Sequence, residues 1–178
     1  MSDWRFRPIA RSNFAQLSSW LREPHVARWW ADDATLEGVE ADYGPNVDGT
    51  EPSQVFIAAR GGEDVGLVQR YCIAAYPQYV AELEAVVKVD TGTWSMDYLL
   101  GPPQALRRGW GVAMLTEFVE ATWRETDAAC LLVPVHAENV ASWRALERCG
   151  FRRVAEGELT PDNPADSRAH FVYRLART

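Results

Sequence analysis

The sequence is poor in cysteine, in positive charge and in long apolar runs. Its three cysteines, Cys72, Cys130 and Cys149, are widely separated without metal-type spacing, so we interpret them as free, buried thiols. No run of 18 apolar residues occurs, and the first residues, MSDWRFRP, contain no apolar signal-peptide core. We therefore expect a cytoplasmic protein that does not bind membranes.

The charge balance is acidic, with a formal net charge of −7 at pH 7. An acidic surface repels nucleic acid and attracts cations, so we expect a small, positively charged substrate and no nucleic-acid partner. The length of 178 residues fits a single domain, residues 1–178, acting as a monomer or homodimer. The eight tryptophans can either pack a core or form the walls of a site for sugars and cations.

The most informative stretch covers residues 94–125. It begins as a half-buried strand, WSMDYLL, which ends at Gly101-Pro102-Pro103. Two arginines and Gly109-Trp110-Gly111 follow. The next apolar residues recur at the spacing of a helix: Val112, Leu115, Val119 and Trp123. The order is therefore a strand, a basic glycine turn and the start of a helix.

This order predicts a binding site for an anion. The first turn of a helix leaves about four backbone N–H groups without partners and carries roughly half a positive charge. Gly109 and Gly111 remove the Cβ atoms that would keep a phosphate away, and Arg107 and Arg108 add charge. The alternative is a glycine-containing loop that leads into a core helix, with both arginines in solvent.

The spacing of these features resembles the acyl-CoA site of the GNAT acetyltransferase superfamily. The strand ends at Leu99-Leu100, the Gly-x-Gly turn follows, and Asn139 and Gly150-Phe151 come about thirty to forty residues later. The resemblance implies an α/β (α+β) fold with a mixed, mostly antiparallel sheet of six to seven strands and helices on both faces. It also implies a splayed cofactor cleft between the fourth and fifth strands, acetyl-CoA as co-substrate, and no metal.

The same resemblance implies which residues hold the cofactor. In the family the turn reads Gln/Arg-x-x-Gly-x-Gly/Ala and binds the diphosphate, but Leu106 stands at the Gln or Arg position here. The contact must then come from backbone groups or from the neighbouring arginines. The implied cofactor-binding residues are Leu99, Leu100, Arg107, Arg108, Gly109, Trp110, Gly111, Val112, Ala113 and Asn139.

Several strings narrow the resemblance to the aminoglycoside 6′-N-acetyltransferases. They are Ser19-Trp20-Leu21 with His25-Val26 and Trp29-Trp30, Val65-Gly66-x-x-Gln69-x-Tyr71, residues 96–100 (MDYLL) and Thr160-Pro161-Asp162. The expected function is N-acetylation of a primary amine on a cationic small molecule, an aminoglycoside at its 6′-amino group. The expected substrate-binding residues are Trp29, Trp30, Gln69, Tyr71 and His136. The two tryptophans could instead form a lid, and His136 could bond to backbone.

Asp97 is the expected catalytic base. An alkyl ammonium has a reference pKa near ~10.4, and only the free amine attacks a thioester, so a carboxylate beside the acyl group can anchor the cation and accept its proton. Asp is depleted in strands, yet this one lies directly before the cofactor turn. The alternative is a solvated aspartate on the outer face of the sheet.

Two positions depart from the family pattern. Leu146 stands where many GNAT enzymes have a tyrosine, the proposed acid for the departing thiolate, so water or helix amides would have to stabilise that thiolate. Pro134 aligns with a substrate-binding aspartate of the 6′-acetyltransferases. Because of these two positions, an acyl-CoA-binding protein that has lost its chemistry stays open as an alternative. A second alternative is a siderophore-pathway lysine or hydroxylysine N-acyltransferase, a relative whose turn also reads Gly-Pro-Pro before the arginines and glycines.

Two further segments have weaker patterns. Residues 76–91 lack clean periodicity, and we expect a strand extension followed by a loop. A helix is predicted from Thr35 to about Tyr43, with a loop at Gly44-Pro45-Asn46.

Overall fold

The computed structural model describes residues 3–177, which form a seven-stranded sheet with the strand order β1-β2-β3-β4-β5-β7-β6. The strands are β1 (Trp4–Pro8), β2 (Gln54–Arg60), β3 (Glu63–Cys72), β4 (Thr93–Leu100), β5 (Cys130–His136), β6 (Arg152–Glu158) and β7 (Ala169–Ala176). The helices are α1 (Phe14–Leu21), α2 (Pro24–Ala27), α3 (Leu36–Val47), α4 (Pro77–Glu84), α5 (Trp110–Glu125) and α6 (Val140–Arg148).

The sheet opens between β4 and β5. All other neighbouring strands pair antiparallel, whereas β4 and β5 run parallel and pair only through Thr93 with Cys130 and Trp94 with Leu131. Beyond these pairs the two strands diverge, and Pro134, which has no N–H to donate, lies in the diverging part of β5. The predicted mixed sheet and splayed cleft are therefore confirmed.

Helices cover both faces of the sheet, as predicted. On one face α1 and α3 pack on β2 and β3 through a buried cluster that includes Leu17, Val39, Ile57 and Leu67. On the other face α5 and α6 bury their apolar sides against β4, β5 and β7. No helix among residues 3–177 is long and apolar enough to cross a membrane.

Glycine is required where β4 passes into α5. Gly109 has φ = 74°, a left-handed conformation in which glycine carries no Cβ penalty, and the helix starts at the next residue. Gly101, just after β4, lies against the Trp20 ring, and a Cβ there would come within 2.1 Å of that ring. His25 of α2 contacts the Leu100 carbonyl through Nε2 at 2.8 Å, so the N-terminal helices are fixed to the end of β4.

Two predictions about local structure were wrong. Residues 77–84 form α4 rather than a strand extension, with Pro77 at the first helical position and Leu83 fully buried. The segment mixes polar and apolar residues without a clear period, so the sequence pattern does not reveal the helix. The helix is stabilised because one of its faces is buried against the rest of the fold. Helix α3 also continues through Gly44 and Pro45 to Val47, where a loop was expected.

Candidate active site

The opening between β4 and β5 leads into a cavity of about 600 Å³. The β3 and β4 strands, the segment after α2, helices α3, α4 and α6 and the loop between β6 and β7 line it. Seven carboxylates contribute: Asp32, Asp42, Glu51, Glu82, Asp97, Asp162 and Asp166. Within residues 3–177, no lysine or arginine side chain belongs to this lining. The cavity is therefore strongly negative and suited to cations.

Asp97 lines this cavity and stands opposite Gln69 in the register of β3 and β4. The Gln69 Nε2 donates to Asp97 Oδ2 at 2.7 Å. Burial raises the pKa of Asp97 to about 6, the Gln69 hydrogen bond opposes that shift, and the charges of Asp162 and Asp32 add to it. The carboxylate is therefore ionised at neutral pH, yet basic enough to accept a proton.

A second group of carboxylates comes from the chain after α2 and from α3. The Tyr43 hydroxyl donates to Asp32 Oδ2 at 2.7 Å, which fixes this aspartate at the wall. Burial raises the pKa of Asp42, and the negative charges of Asp32 and Asp33 raise it further. These residues repel each other, so a bound cation would relieve the repulsion.

The loop between β6 and β7 supplies the opposite wall. Asp162 lies in it, and burial together with the charge of Asp32 raises its pKa. Asp166 pairs with Arg28 of the segment after α2 at 2.7 Å, and Arg28 also reaches Glu138 at 3.4 Å. These ion pairs connect the segment after α2 to the loop between β6 and β7 and to the chain just before α6. Asp162 thus adds a carboxylate to the same cavity, to which Pro134 contributes none.

The sequence-predicted substrate residues all line this cavity. Gln69 and Tyr71 alternate with Arg70 along β3 and point to the face that carries Asp97. The Tyr71 ring lies 5.4 Å from that of Tyr76 and 6.2 Å from that of Tyr79. Trp29 and Trp30 stand at the end formed by the segment after α2. The cavity thus combines aromatic faces with carboxylates.

His136 is already fully hydrogen-bonded. Its Nδ1 accepts from the Glu138 amide at 3.2 Å, so its Nε2 is the protonated nitrogen and donates to the Ser167 carbonyl at 2.9 Å. Its ring packs between Trp29 and His170, with ring-centre distances of 5.5 and 5.3 Å. His136 therefore offers a ring surface rather than a free nitrogen.

The turn at residues 107–112, which the sequence predicts to bind the cofactor, is exposed and basic at Arg107 and Arg108. Arg107 adopts φ = 60° before Gly109, and the Arg108 guanidinium lies 5.4 Å from the centre of the Trp110 ring. The Ala113 amide donates to the Gly109 carbonyl at 3.1 Å as the first bond of α5, so the amides of residues 110–112 precede the helical ladder. A Cβ on Gly109 would meet no atom within 4 Å, so the space in front of the turn is open.

Helix α6 borders the opening from the other side. Asn139 accepts a hydrogen bond from the Ser142 amide at 3.2 Å and caps the helix. Ser142 Oγ lies 2.7 Å from the Tyr98 hydroxyl of β4. Leu146, one turn later, is 0% exposed and belongs to the core.

These features fit a coenzyme A thioester. The open turn, with the amides that precede the helical ladder and with its arginines, suits a diphosphate, and the gap between β4 and β5 leads from there to Asp97. Leu99 and Leu100 are the last residues of β4 beside this gap. Within the described chain, no group of three or more His, Cys, Asp or Glu side chains is arranged to hold a metal ion.

Comparisons with known proteins agree with this geometry. A family model described as "Acetyltransferase (GNAT) domain" matches residues 10–159, so the chain belongs to the GNAT family and is an N-acetyltransferase by family. A search of curated protein sequences finds no match.

Solved structures share the fold. The crystal structure of aminoglycoside acetyltransferase AAC(6′)-Ib in complex with coenzyme A has a TM-score of 0.80 and 23% identity, covering 98% of this chain and 95% of that one. The aminoglycoside N(6′)acetyltransferase from Legionella pneumophila subsp. pneumophila str. Philadelphia 1 has a TM-score of 0.73 and 14% identity, covering 99% of this chain and 93% of that one. The ribosomal-protein-S5-alanine acetyltransferase from Vibrio fischeri has a TM-score of 0.73 and 13% identity, covering 99% of this chain and 94% of that one.

Sequence reasoning missed several cavity residues. The packing of α3 brings Asp42 and Tyr43 to the cavity, and the hydrogen bond from Tyr43 holds Asp32 there. No local sequence pattern reveals this packing. Asp162 was part of a string that resembled the 6′-acetyltransferases, and this string was the available signal. Ser142 lies three residues after Asn139, on the same helical side, and that spacing could have identified it.

Proposed function

We propose that the protein transfers the acetyl group of acetyl-CoA to a primary amine of a small polycation in the cytoplasm, and that the acceptor is an aminoglycoside modified at its 6′-amino group. The observation that carries the proposal is the position of Asp97 in a cavity lined by seven carboxylates and, in the described chain, by no lysine or arginine side chain. A single ammonium needs one counter-charge. A cavity with carboxylates on several walls suits an acceptor with several ammonium groups.

The proposed roles follow from the positions of the side chains. Acetyl-CoA supplies an activated acetyl thioester when bound. Asp97 accepts the proton of the attacking amine, and the backbone N–H near Leu99 polarises the carbonyl oxygen. The turn at residues 107–112 holds the diphosphate through its amides and arginines. Trp29 and Trp30 offer faces on which a sugar ring can pack.

The fold alone does not select the acceptor, because relatives with this fold include an enzyme named for a ribosomal protein as well as enzymes named for aminoglycosides. Structures of AAC(6′)-Ib have been solved with kanamycin and with ribostamycin, each together with coenzyme A. The acidic cavity described above supports a similar acceptor for this chain.

A thiol-release assay with acetyl-CoA tests the proposal. The panel contains aminoglycosides with and without a 6′-amino group, polyamines, lysine and hydroxylysine derivatives and peptide N-termini. We expect the highest kcat/KM for aminoglycosides that carry the 6′-amine. Preference for lysine derivatives would favour the siderophore-pathway alternative. Tight binding of acetyl-CoA without thiol release on any amine would favour a binding protein without chemistry.

A further inference from the structure

Two hydroxyl groups, one on β4 and one on α6, contact each other beside the opening between β4 and β5, and the proposed roles leave them unused. The Tyr98 hydroxyl lies 2.7 Å from Ser142 Oγ, and both residues line the cavity that contains Asp97. We propose that Tyr98 donates a hydrogen bond to the sulfur of the departing coenzyme A thiolate and that Ser142 positions its hydroxyl. This inference rests on the proposed acetyl transfer.

The strand geometry separates the two chemical tasks. Asp97 and Tyr98 are consecutive on β4, so their side chains point to opposite faces of the sheet. The sheet is open beside them, because the pairing of β4 with β5 ends at Trp94 and Leu131. A thioester in this opening would have the carboxylate of Asp97 on one face and the hydroxyl of Tyr98 on the other. The amine can then attack on the acidic face while sulfur leaves on the opposite face.

Helix α6 offers no hydroxyl at the family's usual acid position. Leu146 occupies that position and is fully buried in the core. Ser142 stands one turn earlier, and Asn139 caps the helix through the Ser142 amide. The cap fixes the first turn of α6, and Ser142 in turn fixes the Tyr98 ring. Tyr98 of β4, which faces α6, thus supplies the hydroxyl that Leu146 lacks.

The protonation state of Tyr98 suits a donor. Burial raises the pKa of Tyr98 above its usual value, and the hydrogen bond with Ser142 offsets only part of that shift. Its hydroxyl therefore keeps its proton at neutral pH. A hydrogen bond to a thiolate is stronger than one to the neutral sulfur of a thioester. The Tyr98 hydroxyl therefore stabilises the sulfur more as the bond to the acetyl carbon breaks and negative charge develops on it.

The balance of the step is simple. The bond from nitrogen to the acetyl carbon forms, the bond from that carbon to sulfur breaks, and the electron pair leaves on sulfur. The amine proton goes to Asp97. Tyr98 keeps its own proton and donates a hydrogen bond, and the released thiolate takes a proton from water, since a thiol has a reference pKa of ~8.5.

Isothermal titration with coenzyme A and with desulfo-coenzyme A, which lacks the sulfur, tests this assignment without turnover. At pH ~9 a free thiol is mostly ionised. We expect Tyr98→Phe to weaken coenzyme A binding about tenfold and desulfo-coenzyme A binding less than about twofold, because only the first ligand loses a charged hydrogen bond. Ser142→Ala should weaken coenzyme A binding about threefold, again without an equal effect on the desulfo compound.

Tyr173→Phe is the matched control. Tyr173 is buried in β7 and donates to Glu147 at 2.9 Å, but it is not part of the cavity wall. We expect it to bind both ligands like the wild type. Equal losses for both ligands in Tyr98→Phe, or coenzyme A binding as tight as in the wild type or tighter, would overturn the assignment. Failure of the wild type to bind either ligand would instead overturn the proposed function.

Discussion

The two sides of the cleft are built in different ways. The proposed cofactor side comes from one continuous stretch, residues 99–113, and its binding groups are backbone amides, Gly109 and Gly111, and Arg107 and Arg108. The proposed acceptor side collects side chains from β3, β4, α3, α4 and the loop between β6 and β7. A diphosphate has the same shape in every relative, so backbone can bind it. An acceptor with its own pattern of charges requires side chains placed to match that pattern.

The largest expected effect lies where the two sides meet. Asp97→Asn removes the proposed base but keeps the side-chain shape. We expect turnover to fall about 10²- to 10³-fold, within the range of general-base contributions, because the amine proton has no acceptor. Acetyl-CoA affinity should stay within about twofold, because Asp97 belongs to the acceptor side. Steady-state kinetics with isothermal titration would measure both, and full activity on every accepted amine would remove Asp97 from its role.

The same variant should make the protein more stable at neutral pH. The pKa of Asp97 is raised to about 6, whereas an unfolded aspartate titrates near ~3.9. Ionising Asp97 in the folded chain therefore costs free energy that is absent below pH ~4, grows between these two values and is complete above pH ~6. We expect Asp97→Asn to raise the free energy of unfolding by about 1–2 kcal/mol at pH 7, a value discounted for partial exposure.

Denaturant titrations of both proteins at pH 4 and pH 7 would measure this difference. The gain should fall to a small remainder at pH 4, where the carboxyl group is protonated in the folded chain and about half protonated in the unfolded chain. A gain of equal size at both values would mean that the substitution stabilises by packing rather than by removing a charge.

The cofactor side should respond to backbone changes. Gly109→Ala places a Cβ at φ = 74° in front of the turn, and we expect acetyl-CoA affinity to fall about tenfold because the added methyl group occupies the space proposed for the diphosphate. The strained conformation should also cost about 1 kcal/mol of stability.

Gly61→Ala separates these two effects. Gly61 lies in the turn between β2 and β3 at φ = 58°, and a Cβ there also meets no atom within 4 Å. We expect a similar loss of stability in thermal unfolding and unchanged binding of acetyl-CoA. Equal binding losses in both variants would mean that the Gly109 effect is strain alone.

The acceptor side should distinguish substrates by charge. Asp162→Asn removes one carboxylate from the cavity wall formed by the loop between β6 and β7, and we expect kcat/KM for a polycationic aminoglycoside to fall about fivefold, with little change for a monoamine. The control is Glu120→Gln, an exposed carboxylate on α5 that is not part of the cavity wall. Equal losses for both amines would contradict a role in recognising multiple charges.

This contrast also explains which parts of the fold and of the site could be predicted from the sequence. The turn at Gly109, the helix after it and the strand that carries Asp97 are local patterns, and the splayed sheet follows from the family they resemble. Helix α4 was missed because its face is decided by burial of Leu83 under distant residues. The carboxylates Asp32 and Asp42 were missed because only the packing of α3 brings them to Asp97, which is more than fifty residues away in the sequence.

A crystal structure with coenzyme A and a 6′-amino aminoglycoside would test the central claim most directly. The account predicts the diphosphate on the amides of residues 110–112, the sulfur in the opening between β4 and β5, and the 6′-amine beside Asp97 with other ammonium groups on the acidic walls. A diphosphate bound elsewhere with the turn at Gly109 empty, or an acceptor bound outside the acidic cavity, would contradict it.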